Sequence, residues 1–343
     1  MFSVLCASMG LLSLLPSGLA APVKHAKRSV NGPVISTDFP DPSIINVGGT
    51  WYAFGTQSIY NYTNIHIQVA SSTDFNTWTL HMGQDALPNL PGWAANDGEV
   101  WAPDVNQLVR TPFHRPAPQT NTPQDDGSFV MYFSATNAAT PGHHCVGSAT
   151  SKTIEGPYTA ASSTLFCPTA QGGAIDAAGF KDTDGSRYIT YKVDANSDGH
   201  GGVCNNGVAP IVNTPIYIQP VASDGVTFTG SQTNILNLSP ADGPDIEAPS
   251  MMRDAAGNYI LFFSSNCYST PQYDVSYAYG NSPTGPFTKS GPLYVTGTDG
   301  LTGPGGADIY HDAQHMLFHA LQPGGPRFLY AAIIDASGDS VTG

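Results

Sequence analysis

The chain has 343 residues, with 12 Lys and Arg against 26 Asp and Glu and a formal net charge of −14. So acidic a composition excludes nucleic acid and anionic membrane as partners, because both are held by clustered positive charge. It suits a neutral partner and equally suits plain extracellular solubility, and composition alone does not separate the two.

Residues 2–19 are mostly apolar, carry Leu11, Leu12, Leu14 and Leu15, and run into the small residues Ser17, Gly18, Ala20 and Ala21. This is the pattern of a signal peptide, and Gly10, Pro16 and Gly18 leave it too broken to span a bilayer. Lys27-Arg28 then reads as a dibasic propeptide site. The expectation is a secreted protein in which residues 1–28 are signal peptide and propeptide and residues 29–343 form one folded domain. Taking Lys24, Lys27 and Arg28 from the 12 basic residues leaves nine against 26 acids, a net charge of −17.

The folded part opens on Asp38-Phe39-Pro40-Asp41-Pro42-Ser43-Ile44-Ile45, an acid between two prolines that leads into an apolar run. Beyond it, no window of helical length keeps an apolar stripe at i, i+3 and i+4. Short β-branched and aromatic runs between turn residues dominate, which predicts an all-β fold. A turn followed by an aromatic-rich strand recurs five times, at residues 48–55, 125–134, 183–191, 255–264 and 311–319. Each copy is followed by a second strand, at 67–71, 145–149, 217–221, 275–279 and 328–332. Five such units, each a small antiparallel sheet, predict a single-domain five-bladed β-propeller rather than a sandwich or jelly roll, which would not need the repeat.

Cys6 leaves with the signal peptide, so Cys145, Cys167, Cys204 and Cys267 remain, an even number in an oxidising compartment. Of three possible pairings, 145–167 and 204–267 are favoured because each closes neighbouring segments. The spacing lacks C-x-x-C, which argues against zinc. Asn61 and Asn237 begin glycosylation sequons, the second followed by Pro240.

Acids precede the hairpins at a shared distance. Asp41 lies 11 residues before Tyr52, Asp176 lies 12 before Tyr188 and Glu247 lies 12 before Tyr259. Asp104 falls in the matching segment of the second unit, before a longer insert. Asp38 lies outside this phase. In a propeller the first strand of each blade lines the central channel, so equivalent positions converge on one end of it. Pro40, Pro42 and Pro249 beside the acids agree, since Pro is tolerated where a strand has a free edge. Buried carboxylates cost free energy unless paired, hydrated or used, so three in phase point to chemistry. Glycoside hydrolysis needs that set: one carboxylic acid protonates the leaving oxygen, and a second carboxylate acts on the opposite face of the sugar. If the second activates water, the pair stands roughly 6.5–9.5 Å apart and configuration inverts. A third acid raises the pKa of the general acid by like-charge repulsion.

The chain resembles glycoside hydrolase family 43 over essentially the whole of residues 29–343. The resemblance is carried by Phe39-Pro40-Asp41-Pro42-Ser43, Val100-Trp101-Ala102-Pro103-Asp104-Val105, Ile175-Asp176 with the following Phe180-Lys181-Asp182-Thr183-Asp184-Gly185, and Ile246-Glu247-Ala248-Pro249. It implies a five-bladed propeller and inversion, with Asp41 as general base, Glu247 as general acid and Asp176 as the group that modulates the acid's pKa. It also implies hydrolysis of α-L-arabinofuranosidic or β-xylosidic bonds. One departure stands out. Many members carry Gly-x-Gly-His in the last blade, where the His helps to hold a central calcium. Here the segment reads Gly303-Pro304-Gly305-Gly306-Ala307-Asp308, so no cofactor is expected to be essential and a central calcium is in doubt. His311 or Asp308 is a candidate to face the channel in its stead.

Trp101 is the leading candidate for a sugar platform and Phe39 the next, with Asp104 and His311 as further substrate-binding candidates. Trp51, Trp78 and Trp93 read as packing. The Gly-rich stretch 198–207 reads as a substrate rim or a plain surface loop. The function expected is a secreted, monomeric exo-glycosidase, a β-xylosidase or α-L-arabinofuranosidase, acting on plant cell-wall oligo- or polysaccharide. An endo-1,5-α-L-arabinanase is the near alternative and a non-catalytic carbohydrate-binding propeller the distant one. A fructan-active enzyme is disfavoured because its Asn-Asp-Pro-Asn-Gly, Arg-Asp-Pro and Glu-Cys motifs are absent at the matching places.

Overall fold

Each aromatic-rich run pairs antiparallel with the segment before it and the segment after it, and the result is five sheets of four strands. A computed structural model describes Met1 and residues 30–60, 62–97, 99–108 and 127–343. The signal and propeptide expectation and the sequon at Asn61 lie outside the described residues. Strand β1 covers Val30–Ile35. Blade one is β2 (Ser43–Val47), β3 (Thr50–Ser58), β4 (Tyr62–Ser72) and β5 (Thr79–Leu80). Blade two is β6 (Val100–Gln107), β7 (Phe129–Thr136), β8 (His144–Ser151) and β9 (Thr159–Ala160). Blade three is β10 (Ala174–Lys181), β11 (Arg187–Val193), β12 (Ile216–Val221) and β13 (Thr233–Leu236). Blade four is β14 (Ile246–Arg253), β15 (Tyr259–Ser265), β16 (Asp274–Gly280) and β17 (Thr288–Lys289). Blade five takes β18 (Pro304–Ile309), β19 (His315–Leu321) and β20 (Arg327–Ile333), and β1 supplies its outer strand. A last hairpin, β21 (Asp335–Ser337) and β22 (Ser340–Thr342), follows it.

The expected all-β five-bladed propeller is thus present. The fifth unit, which has only three strands of its own, is completed from the other end of the chain. Val30 pairs with Ala332, and the Phe39 amide donates to the Arg327 carbonyl at 2.8 Å. Pairing β1 onto β20 closes the ring and covers an edge that the last blade would otherwise leave exposed.

The alternating strands bury aromatic and β-branched side chains between neighbouring blades. Phe54, Val69, Met131 and Phe133 fill the seam between blades one and two, and Ile218, Met251, Leu261 and Phe263 the seam between three and four. Four inner strands carry a β-bulge, between Trp101 and Asp104, Ile175 and Ala178, Glu247 and Ser250, and Gly305 and Asp308. The bulge residue has positive φ in each: Ala102 (43°), Asp176 (56°), Ala248 (52°) and Gly306 (57°), with Asp41 (49°) as the blade-one counterpart. Bulges break the pleat and re-aim side chains, and here they do so at the channel mouth. Both favoured disulfides form, Cys145–Cys167 and Cys204–Cys267.

Candidate functional site

The register sharpens the sequence phase. Opposite the last inner-strand residue before each bulge stand Thr56, Ser134, Lys192, Ser264 and His319 on the second strands. By this measure Asp41 and Asp176 are equivalent, both at the bulge itself. Glu247 stands one residue earlier, in the place that Trp101 holds in blade two. The difference arises because Tyr259 starts its strand one position ahead of Tyr52 and Tyr188, so equal spacing along the chain does not mean equal register.

The second-strand residues tie the blades together around the channel mouth. The Ala102 amide donates to Thr56 Oγ1 at 2.8 Å and the Asp176 amide to Ser134 Oγ at 3.1 Å. The Gly306 amide donates to Ser264 Oγ at 2.8 Å and the Asp41 amide to His319 Nδ1 at 3.0 Å. In the remaining position Lys192 has no acceptor to offer, and the Ala248 amide donates to Asp176 Oδ2 at 2.9 Å instead.

Asp41, Asp176 and Glu247 line one cavity of about 940 Å³ at this end of the propeller, to which all five blades contribute. The Asp41 carboxylate accepts from Thr56 Oγ1 at 2.7 Å and from Arg327 Nη1 at 3.1 Å, and its side chain keeps 20% exposure. Glu247 accepts from Tyr273 Oη at 2.7 Å and Lys192 Nζ at 3.1 Å, with 12% of the side chain exposed. Both carboxylates are therefore oriented by buried donors yet remain open to the cavity. Burial raises Asp176 well above the usual carboxylate range; the Glu247 charge adds to this, while Lys192 and the Ala248 amide pull back. Lys192 is fully buried and also bonds Asp245 Oδ2 at 2.8 Å, with Asp194 Oδ1 at 3.4 Å. Burial works against its ammonium form, but Asp245, Glu247, Asp194 and Asp176 outweigh that and hold it well above the usual lysine range.

Trp101 lies in the cavity wall, half-buried, with its ring stacked on His144 at 3.8 Å between centroids. Asp104 lines the deeper channel, buried, accepting from the Gly179 amide at 2.9 Å. The stretch 198–207 contributes Cys204 and Asn205 to the rim, and the Cys204–Cys267 disulfide fastens it beside Tyr268 of blade four. Trp51, Trp78 and Trp93 pack against Phe75 and Phe133, away from the cavity. Two expectations are corrected. Phe39 has no exposed surface and packs with Ile35, Ala53 and Leu317, against Gly55, so it cannot stack on a sugar. His311 lies in the exposed turn after β18, beside Tyr310 and outside the cavity wall, because β18 carries the chain from the channel mouth to the opposite end of the blade.

Asp38 is buried and braces the closure, accepting from the Arg327 amide at 2.8 Å and Ser58 Oγ at 3.1 Å, which agrees with its exclusion from the catalytic set. Sequence reasoning passed over Lys192, Asp245, Tyr273, Arg327 and His319. The available signal was a polar residue ending each apolar second strand, at Thr56, Ser134, Lys192, Ser264 and His319.

For the calcium that the resemblance carries, the last-blade position whose His would help to hold it is Gly306 here. Calcium takes about six to eight oxygens. Among the described residues no three His, Cys, Asp or Glu side chains gather as a metal site. A Cβ at residue 306 would stand 2.6 Å from His319 Cε1, so that imidazole fills the space a side chain at 306 would need. Asp308 is engaged by the Ile44 amide at 2.8 Å and Ser250 Oγ at 2.6 Å.

Comparison with known proteins bears on the family and the fold. A β-D-galactofuranosidase of Aspergillus niger is 25% identical over 320 residues, covering 87% of this chain and 83% of that protein. An extracellular endo-α-(1→5)-L-arabinanase of Thermotoga petrophila is 26% identical over 277 residues, covering 72% of this chain and 50% of its own length. Among solved structures, a thermostable family-43 glycoside hydrolase superposes with a TM-score of 0.70 at 22% identity, covering 92% of this chain and 95% of that one. The profile described as "Glycosyl hydrolases family 43" matches residues 30–332, and the chain belongs to that family.

Proposed function

We propose that this protein is a secreted glycosidase that cleaves arabinose- or xylose-containing plant cell-wall glycans with inversion, and that arabinan is its preferred substrate. The observation that carries the reading is the convergence of Asp41, Asp176 and Glu247, from three blades, on one cavity whose donors orient the first and last. In it Asp41 takes a proton from water as that water attacks the anomeric carbon. Thr56 and Arg327 hold the Asp41 carboxylate toward the cavity, and Glu247, oriented by Tyr273, gives its proton to the departing oxygen. Asp176 is the third acid of the set, bonded to the Ala248 amide next to Glu247. A cavity of about 940 Å³ is at the top of the range that holds drug-sized ligands, which suits a stretch of chain more than a single terminal pentose. On this point we favour the endo-arabinanase alternative over the exo-pentosidase first expected, and the arabinanase among the relatives supports the choice.

The test is to incubate the enzyme with linear arabinan, aryl α-L-arabinofuranosides, aryl β-xylosides and xylo-oligosaccharides, and to follow product anomers by NMR. Internal cleavage of arabinan with inversion is the expected result. Release of xylose alone moves the assignment to β-xylosidase. Retention of configuration makes Asp41 a nucleophile and overturns the mechanism.

A further inference from the structure

Lys192 stands out among the five second-strand residues at the channel mouth. Thr56, Ser134, Ser264 and His319 each accept the bulge amide of the next blade, at 2.8–3.1 Å. A Ser in the Lys192 position would complete that ring. An ammonium cannot, because it has three donors and no acceptor. The fold instead buries a full positive charge with no solvent exposure, which is costly unless paired, and its partners across the blade boundary are the carboxylates of Asp245 and Glu247. The vacated amide of Ala248 is taken by the Asp176 carboxylate, which brings the two acids into one network.

The groups around Glu247 come from several elements. Lys192 on β11 and Tyr273 before β16 donate to its two oxygens. Asp245 shares Lys192 from the same segment as Glu247, and its Oδ1 is buried without a partner among the described residues. Asp194 approaches Lys192 from the end of β11, and Asp176 on β10 acts on both Lys192 and Glu247. Beyond Tyr273 stand the stacked His319 ring, Asp41 and Arg327.

We infer that Lys192 is a positioning residue for the general acid, with Asp245 as its counterweight: Lys192 holds one Glu247 oxygen so that the other carries the proton, and Asp245 limits how far Lys192 stabilises the deprotonated form. The inference rests on the reading of Glu247 as general acid. An acid that sits beside a cation alone would be ionised too readily to donate. An acid beside Asp176 and Asp245 alone would hold its proton too tightly. The Lys192–Asp245 pair keeps both demands within one buried group of contacts.

The experiment uses Lys192→Met and Asp245→Asn in the full enzyme, with thermal unfolding to establish that each variant is folded. The pH profile of kcat/KM is read on an arabino-oligosaccharide and on a dinitrophenyl glycoside. Removing the cation raises the alkaline limb, by about 1–3 pH units. Removing the Asp245 carboxylate lowers it. On the oligosaccharide Lys192→Met loses roughly tenfold or more in kcat, and on the activated glycoside, which needs no proton, it loses little. In folded variants, limbs that stay put or move together overturn the inference. If Lys192→Met does not fold, the direction of the Asp245→Asn limb decides alone. A Glu247→Ala control separates the two readings. Equal loss on both substrates removes Glu247 from the acid role, whatever the Lys192 variants do.

Discussion

Gly306→Ala tests whether the ring of blade-to-blade hydrogen bonds is as tight as the geometry requires. Residue 306 has φ of 57°, a conformation that costs a non-glycine residue about 1–2 kcal/mol. Its Cβ would stand 2.6 Å from His319 Cε1, 2.7 Å from His319 Nδ1 and 3.1 Å from Asp41 Oδ1. His319 has no room to retreat: it is fully buried and stacked on Tyr273 at 5.7 Å. Overpacking of this kind costs about 1–3 kcal/mol. The two terms give about 2–5 kcal/mol, and for a domain of this size each kcal/mol lowers Tm by about 2 °C. The expected fall in Tm is therefore about 4–10 °C. Displacing His319 also releases the Asp41 amide, so kcat on an aryl glycoside should fall by roughly 10–100-fold. Calorimetry and steady-state kinetics read both effects. Adding His319→Ala should restore part of the Tm, because the two changes share one space and are not additive. A Tm within 2 °C of the wild type, or strict additivity in the double variant, would refute the packing argument.

Phe39→Ala should cost about 3–5 kcal/mol of stability, read as Tm, and leave KM unchanged in the folded enzyme, since the ring is core and never meets substrate. Trp101→Ala should do the reverse, raising KM roughly tenfold at nearly unchanged Tm, through loss of the exposed aromatic face. Asp104→Asn probes a pH dependence. Burial, with the Asp308 charge, holds Asp104 well above the usual carboxylate range, so the folded state binds its proton more tightly than the unfolded chain. That contribution is present below the unfolded value of about 3.9 and is lost as pH rises through the folded one. The Asn variant lacks this loss, and its Tm relative to wild type should rise between pH 4 and pH 8. A constant difference across that range would contradict the sign.

The sequence alone determined the repeat, and with it the five blades, because turn residues and aromatic strands recur whatever surrounds them. It also pointed to Asp41, Asp176 and Glu247, since acids that recur at a shared distance before the hairpins are visible in one dimension, and it paired the four cysteines by proximity. Only the tertiary structure decided register. A bulge of one residue places Asp41 and Asp176 in equivalent positions and Glu247 one step away, and no count along the chain distinguishes these cases. Lys192, Tyr273 and Arg327 were hidden for the same reason: each meets a carboxylate more than 25 residues distant, Lys192 and Arg327 across a blade boundary and Tyr273 across its own blade. Phe39 and His311 look like site residues by nearness in sequence, but one points into the seam between blades and the other sits at the far end of its blade. Neighbourhood along the chain fixes which strand a residue belongs to. The closed ring decides which face and which end it serves.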